Sequence, residues 1–486
     1  MLPRDDKNLF LPSVVCPGQA REASEQRVPD TDIKTDRTRL VAMALNKFLL
    51  RSTLTGALGG LLFGFDTAVI AGATYALTDQ FHLTPFELGF TVSIALWGTV
   101  IGAISAGNIG QRIGSRFTLR IMAILYVLSA IGCAFAPTWT IFLVARFLGG
   151  LGIGGSSVLG PVYIAELAPP AYRGRLVGLF QVNIVAGILL AYFSNFSIAS
   201  MHLGAVEWRW EFGVSALPAV LFLIMLFSIP HSPRWLVAKG RVKEARETLT
   251  SLGTPEPEVE LEEIVASIHV ETSSSKEPLF IMKYRVPILL AIAIAAFNQL
   301  SGINAILYYL NDIFVSAGFS RVSGALQSVV VGAVNLGATL LAMALIDKLG
   351  RKTLLLIGCV GMTISLSGVA TVFITGQGHS LLLFLVVGFI GSFAISSGAV
   401  IWVYMSEIFP NDVRVKGQAL GSTVLWVMNG IISQVFPSMA AKSRSLPFVI
   451  FAVLMAVQFF VVYFFFPETK NLSLEQLQKK LGMSEA

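Results

Sequence analysis

The chain has 486 residues, 54% of them hydrophobic and only 13% charged, with a mean hydropathy of +0.72. Soluble domains carry roughly 25% charge, so this deficit excludes an ordinary soluble protein and points to lipid as the solvent. The formal net charge of +6 then reads as Lys and Arg orienting membrane helices, and no nucleic-acid partner is expected.

Residues 1–46 are polar and carry no n-region and h-region of a signal peptide. They read as a cytoplasmic N-terminal tail. Twelve apolar stretches follow, each near the ~20 residues that cross a bilayer. Spans 1 to 12 are expected at 53–77, 89–110, 118–136, 140–163, 176–198, 212–230, 287–311, 323–346, 353–375, 381–405, 416–437 and 446–466. Only helices and closed barrels satisfy backbone groups in lipid, and these runs are too long and too continuously apolar for barrel strands. The expected fold class is an all-α membrane protein with twelve transmembrane helices.

Loop charges set the topology. The loops after spans 2, 4, 6, 8 and 10 are basic: Arg112, Arg116 and Arg120; Arg173 and Arg175; Arg234 to Arg246 with Lys283 and Arg285; Lys348, Arg351 and Lys352; Arg414 and Lys416. The opposite loops hold little beyond Arg209, Arg321, Lys442 and Arg444. By the positive-inside rule both termini are cytoplasmic. The short external loops favour a bacterial inner membrane. Trp97, Trp208 and Trp210 are candidates for the interfacial belt.

One polar insert separates spans 6 and 7. Arg241-Val-Lys-Glu-Ala-Arg246 and the acidic run Glu256 to Glu263 read as two short amphipathic helices. Cys16, Cys133 and Cys359 are too scattered for a disulfide framework or metal site. No nucleophile with a base, metal cluster or phosphate loop stands out. Neither an enzyme nor a cofactor is expected.

The chain repeats itself. Gly110-Gln-Arg-Ile-Gly-Ser-Arg116 resembles Ile346-Asp-Lys-Leu-Gly-Arg-Lys352, with Gln111 and Asp347 offset by 236. Glu166-x-x-Pro169-x-x-x-Arg173 recurs as Glu407-x-x-Pro410-x-x-x-Arg414, offset by 241, and Pro230 echoes Pro467, offset by 237. A duplicated six-helix unit with a site between its halves is a transporter architecture. The expected organisation is a tail at 1–46, a first half at 47–230, an intracellular helical linker at 231–285, a second half at 286–468 and a tail at 469–486.

Eight motifs stand in order at helix ends: Phe63-Gly-Phe-Asp-Thr-Ala-Val69, Arg146-Phe-Leu-Gly-Gly150, Pro161-Val-Tyr-Ile-Ala-Glu-Leu-Ala-Pro169 with Arg173-Gly174, Ser232-Pro-Arg-Trp235, Asn298-Gln-Leu-Ser-Gly-Ile-Asn304 with Tyr308-Tyr309, Asp347-Lys-Leu-Gly-Arg351, Ser406-Glu-Ile-Phe-Pro410 and Pro467-Glu-Thr-Lys470. Over about residues 50 to 470 the chain resembles the sugar porter family of the major facilitator superfamily. The resemblance implies a carrier of a monosaccharide in a lipid bilayer, functional as a monomer.

The polar residues inside the spans suit that expectation. A sugar is a ring of hydroxyls with apolar faces, so neutral amides and flat aromatics can hold it. Span 5 carries Gln181, span 7 Asn298, Gln299 and Asn304, span 8 Asn335, and span 11 Trp426 and Asn429. Asn304 and Tyr308 are four apart and share a face, as are Gly398 and Trp402 of span 10. Gly302 permits a helix break that exposes backbone to a cavity. The resemblance implies sugar contacts at Gln181, Gln299, Asn304, Asn335 and Trp402, with Phe63 near the ring. The alternative for each amide is a helix–helix hydrogen bond worth about 0.6 kcal/mol.

Asp66 lies within span 1, far from any loop. A carboxylate at mid-membrane costs about 2.5–3.5 kcal/mol, and Arg146 of span 4 is its natural partner. A close Arg keeps Asp ionised; separation and desolvation favour its protonation, which would couple a proton to a conformational change. Proton symporters of the family carry Asp at this position. The alternative is a static pair joining two helices. Arg112, Glu166, Arg173, Arg234, Asp347, Arg351, Glu407 and Arg414 sit at inner helix ends, and the resemblance implies that they form a cytoplasmic gate.

The sequence departs from the family at six positions. Gln111, Ser115 and His231 replace charged residues near the gate. His231 reads as a solvated loop histidine. Asn298 replaces Gln, Leu425 replaces an amide, and Ala399 replaces a Pro, which predicts a less kinked span 10. The leading expectation is a monosaccharide–proton symporter with alternating access. A facilitative uniporter stays open, and a sugar receptor on a transporter fold stands behind it.

Overall fold

The computed structural model describes residues 46–169, 172–273, 277–410, 412–472 and 474–483. The expected N-terminal tail lies outside the described residues except for Asn46. Every regular element among the described residues is helical, and twelve helices are long and apolar enough to cross a membrane. Spans 1 to 12 run Lys47–Phe81, Pro85–Ile113, Ser115–Ala134, Trp139–Leu167, Arg173–Ala199, Gly204–Met225, Met282–Tyr308, Arg321–Ile346, Arg351–Thr375, His379–Glu407, Arg414–Lys442 and Leu446–Phe465.

Local chemistry sets the ends. Span 2 opens with a capping box, in which Thr84 accepts from the Glu87 amide and Glu87 accepts from the Thr84 amide, with Pro85 at the first helical position. Lipid gives helices no hydrophobic reason to associate, so small residues must bring backbones together. Spans 2 and 4 meet this way: a Cβ on Gly150 or Gly154 would collide with the carbonyls of Ala95 and Thr99. Spans 1 and 5 do the same through Gly64 and Gly187, which press on the carbonyls of Ile184 and Leu61.

The pairing repeats itself. Span 1 packs on 5, 2 on 4, 3 on 4 and 3 on 6; equally 7 packs on 11, 8 on 10, 9 on 10 and 9 on 12. Across the middle, span 2 packs on 11 and span 5 on 8. Adding six to each span number exchanges those two contacts, as a pseudo-twofold relation between halves requires. Span 1 also touches Ile303–Tyr308 at the end of span 7 and the short helix Leu310–Ser316 that follows it.

Three spans are interrupted. Span 7 stops at Leu300, turns through Gly302 at φ 79°, resumes over Ile303–Tyr308 and turns again at Tyr309. Span 6 turns at Ser215. Span 10 breaks at Ser396, where φ is −112° and ψ is −96°. The smoother span 10 expected from Ala399 is therefore not what forms. The break lies three residues earlier, where the Ser396 amide donates to Phe393 O and its hydroxyl to Ser392 O.

The insert forms three short helices rather than two: Pro233–Ala238, Val242–Leu252 and Pro257–Ser273. Leu236, Ala245, Leu249 and Leu261 give them a small core, and Arg246 pairs with Glu258 at 2.8 Å. Asn46 Nδ2 donates to Ser251 O, tying the start of span 1 to this layer. Trp208 is no belt residue. It is buried among Phe81 and Phe142, with the Arg209 guanidinium over its ring. Trp210, next but one, is exposed.

Candidate functional site

Asp66 and Arg146 meet. Arg146 Nη1 donates to Asp66 Oδ1 at 2.7 Å, with the two side chains only 3% and 15% exposed respectively. The guanidinium also lies over the Phe212 ring of span 6, 5.5 Å from its centroid. Beside the carboxylate is a cavity of about 10 Å³, lined in part by Tyr126, Ser129 and Ser215. That is close to the volume a single water needs, and these hydroxyls could bind one.

The break in span 7 turns its amides into one chain of hydrogen bonds. Asn298 Nδ2 donates to Ser397 O, beside the break in span 10, at 3.1 Å. Gln299 Nε2 donates to Asn298 Oδ1 at 2.9 Å, and Asn304 Nδ2 to Gln299 Oε1 at 2.8 Å. A second arm runs through span 11: Asn429 Nδ2 donates to Tyr308 Oη at 3.3 Å, and Ser433 donates to Asn429 Oδ1 at 3.1 Å. Trp426 packs against Phe63 of span 1, with centroids 5.4 Å apart. Tyr308 also faces Thr67, one residue after Asp66, and lies within electrostatic reach of both Asp66 and Arg146. The amide–aromatic cluster and the ion pair thus share a wall.

Other candidates stand apart from this network. Gln181 is half-buried and Asn335 buried, on spans 5 and 8, which pack together. Gly398 sits against Phe393, where a Cβ would press on the ring. Trp402, two turns beyond the break at Ser396, is 43% exposed.

On the face carrying the insert, Arg351 Nη2 donates to Glu407 at 2.8 Å and Thr469 donates to the same carboxylate at 2.6 Å. Arg414 Nε donates to Phe409 O. Glu166 lies beside Ser232 and Arg234. Each of these sets stays within one half or its adjoining segment. Arg112 is exposed, and Arg173 borders an acidic groove with Glu256, Glu260 and Glu263 of the insert. The side chain of Asp347 lies outside the described residues.

His231 is not a solvated loop residue. Its ring stacks on Trp235 at 4.8 Å, and its Nδ1 is buried without a partner. Burial first, then Arg116, Arg241 and Arg120, push its pKa down to about 4, against a small upward pull from Glu244. An unfolded histidine takes a proton near pH 6.5, so folding stability falls as pH drops from there towards 4. His231→Gln is expected to reduce the loss of Tm between neutrality and about pH 5. Identical losses in both proteins, by thermal unfolding in detergent, would remove His231 from that effect.

The sequence reading missed one cluster. Span 6 begins at Gly204, eight residues earlier than expected, and brings Glu207 and Glu211 into the bundle. Glu207 pairs with Arg321 of span 8 at 3.8 Å, and Arg321 lies over the Tyr75 ring of span 1 at 4.9 Å. This contact joins the two halves on the face opposite the insert. Its signal was present as two carboxylates four residues apart beside an apolar run.

Comparison with known proteins shows the family and the fold. The family model "Sugar (and other) transporter" matches residues 52–481. The arabinose–proton symporter of Bacillus subtilis is 37% identical over 442 residues, covering 89% of this chain and 95% of that protein. The inward-open xylose transporter XylE of E. coli superimposes with a TM-score of 0.80 at 34% identity, covering 89% of this chain and all of that one. The same transporter bound to 6-bromo-6-deoxy-D-glucose gives 0.73 at 34% identity, covering 90% and 100%. The described conformation is thus nearer the inward-open one. The chain therefore belongs to the sugar porter family of the major facilitator superfamily, a multi-pass membrane family of transporters and not of enzymes.

Proposed function

We propose that this protein imports a monosaccharide together with a proton by alternating access. The observation that carries the reading is the buried Asp66–Arg146 pair abutting the Tyr308–Asn429 arm of the amide cluster. Relatives named as arabinose–proton and xylose–proton symporters support the substrate class. The loop charges favour both termini in the cytoplasm of a cell membrane, and the division into halves at 47–230 and 286–468 with a linker between them follows the repeat. Nothing in the cycle calls for a second copy, so the working unit is a monomer.

Each feature then has a task. Gln181, Asn298, Gln299, Asn304, Tyr308, Asn335 and Asn429 bind hydroxyls. Phe63, Trp402 and Trp426 offer flat faces to the ring, and Gly398 leaves room. With the outside open, a proton on Asp66 frees Arg146 and sugar fills the amide cluster. Inward opening lets Arg146 recapture the carboxylate and expel the proton. Glu166, Arg234, Arg351, Glu407 and Arg414, with Arg112, Arg173 and Asp347, form the cytoplasmic gate. The Arg351–Glu407 pair, mostly buried and backed by Thr469, lies within the second half, so the halves can part without breaking it. The two states bind loaded and empty carrier differently, and that difference drives the cycle.

The test is uptake of labelled L-arabinose, D-xylose and D-glucose into proteoliposomes, with and without an imposed pH gradient. Accumulation that collapses with a protonophore is expected. Equilibration without accumulation, under a verified gradient, is the behaviour of a facilitative uniporter. Gln299→Ala breaks the chain between Asn298 and Asn304 and is expected to weaken sugar affinity about tenfold, the value of one or two hydrogen bonds. Unchanged binding of every sugar would exclude Gln299 from the site.

A further inference from the structure

Glu211 is a second carboxyl inside the protein, away from the Asp66–Arg146 pair. It is 1% exposed, and its Oε2 has no hydrogen-bond partner. It fits against span 1 because residue 72 is glycine: a Cβ there would meet the carboxyl itself. The side chain faces a cavity of about 220 Å³ between the halves, on the face opposite the insert.

The charges around this cavity are unbalanced. Glu207 stands one turn away on the same helix, Asp312 on the short helix Leu310–Ser316 after span 7, Arg321 on span 8 and Tyr75 on span 1. Span 5 supplies Asn195, whose Nδ2 donates to Val69 O and whose Oδ1 has no partner. Arg209 turns away and donates to the carbonyls of Ala134, which ends span 3, and Ala136 just beyond it. Arg146, on span 4, is held by Asp66. The cavity therefore has three carboxyls and one guanidinium, and Arg321, 46% exposed, gives its ion pair to Glu207. A buried carboxylate without a partner is costly, whereas a protonated carboxyl needs no counter-ion.

We propose that Glu211 is a proton-binding site exchanging with the outside through this cavity, and that its protonation lets the Glu207–Arg321–Tyr75 contact close over it. The inference rests on the transporter reading for the direction of the cycle. When Glu211 ionises, it repels Glu207 and Asp312 and competes for Arg321, so the external side is held open. Only the carboxyl O–H bond forms and breaks. The proton comes from the external medium on closure and returns to it on reopening. Glu211 therefore sets how fast the outside closes, and leaves the proton-to-sugar ratio to Asp66.

The experiment has two arms, both on the full chain. In proteoliposomes, exchange of L-arabinose and D-xylose is followed as external pH rises. In the Asp66→Asn background, where the Asp66 proton plays no part, exchange is expected to fall about tenfold per pH unit beyond the transition, as one titrating group requires. Adding Glu211→Gln is expected to remove this alkaline fall and adding Glu211→Asp to keep it, while Glu211→Gln alone keeps the wild-type accumulation ratio. In detergent without sugar, pH-difference infrared spectra should show a protonated-carboxyl band that vanishes in Glu211→Gln and shifts in Glu211→Asp. An alkaline fall that survives Glu211→Gln in that background, or a band unmoved in both variants, overturns the proposal. The failure of symport would look different: wild type would not accumulate sugar, and the infrared band would still report on Glu211.

Discussion

Asp66→Asn is expected to abolish gradient-driven sugar accumulation while leaving exchange of bound sugar partly intact. One pH unit is worth about 1.4 kcal/mol, so a one-proton symporter accumulates sugar about tenfold per unit of imposed gradient. The amide cannot take up and release a proton in this range, so the variant should stop at equilibration. The fold should survive. Removing one member of a buried ion pair costs about 3–5 kcal/mol, but the amide carbonyl still accepts from Arg146, and the Phe212 face still covers the guanidinium. Exchange persists because the amide cluster is untouched: Asn298, Gln299 and Asn304 bond to one another and to Ser397, not to Asp66. The measurement is paired uptake and counterflow in proteoliposomes. Undiminished accumulation in the variant would show that the proton binds elsewhere. Loss of accumulation and exchange together, in a protein that still unfolds cooperatively, would favour a static pair.

Much of this arrangement is legible in the sequence because membrane proteins obey few rules. Twelve apolar runs had to be helices, and twelve helices of that length and composition form. The Asp66–Arg146 pair could be anticipated because a carboxylate in span 1 needs a cation, and Arg146 offers one within a neighbouring span. The break at Gly302 was visible because only glycine holds that left-handed turn at low cost.

What failed did so where hydropathy averages over neighbours. The apolar run Ala216–Met225 pulled the expected start of span 6 towards it, leaving Glu207 and Glu211 outside as loop residues. Trp208 went with them to the membrane surface, whereas it lies buried against Phe81 and Phe142. The break in span 10 was missed for another reason. A missing proline argued for a less kinked helix, but the Ser396 hydroxyl donates to the Ser392 carbonyl four residues back, and such local bonds bend helices. His231 was misjudged because a loop position was equated with solvent, when Trp235 four residues later covers its ring.

Gly302→Ala is expected to reduce sugar affinity and transport at least about tenfold, for two separable reasons. Its φ of 79° costs an L-residue about 1–2 kcal/mol. Its new methyl would also overlap the Phe451 ring of span 12, an overpacking that costs about 1–3 kcal/mol. Neither stays local. Phe451 stacks on Phe436 at 6.4 Å, and Phe436 on Tyr309 at 5.0 Å. Tyr309 donates to Ser433 O on span 11, and the Ser433 hydroxyl donates to Asn429. Displacing Phe451 therefore disturbs the span 11 arm, while strain at 302 moves Gln299 and Asn304 apart on the two sides of the break. Phe451→Ala separates the causes, because it makes room for the methyl but leaves the backbone strain. The double variant should recover part of the lost affinity, and the shortfall measures the left-handed turn. Wild-type affinity in Gly302→Ala alone would mean that the break in span 7 does not position the amides.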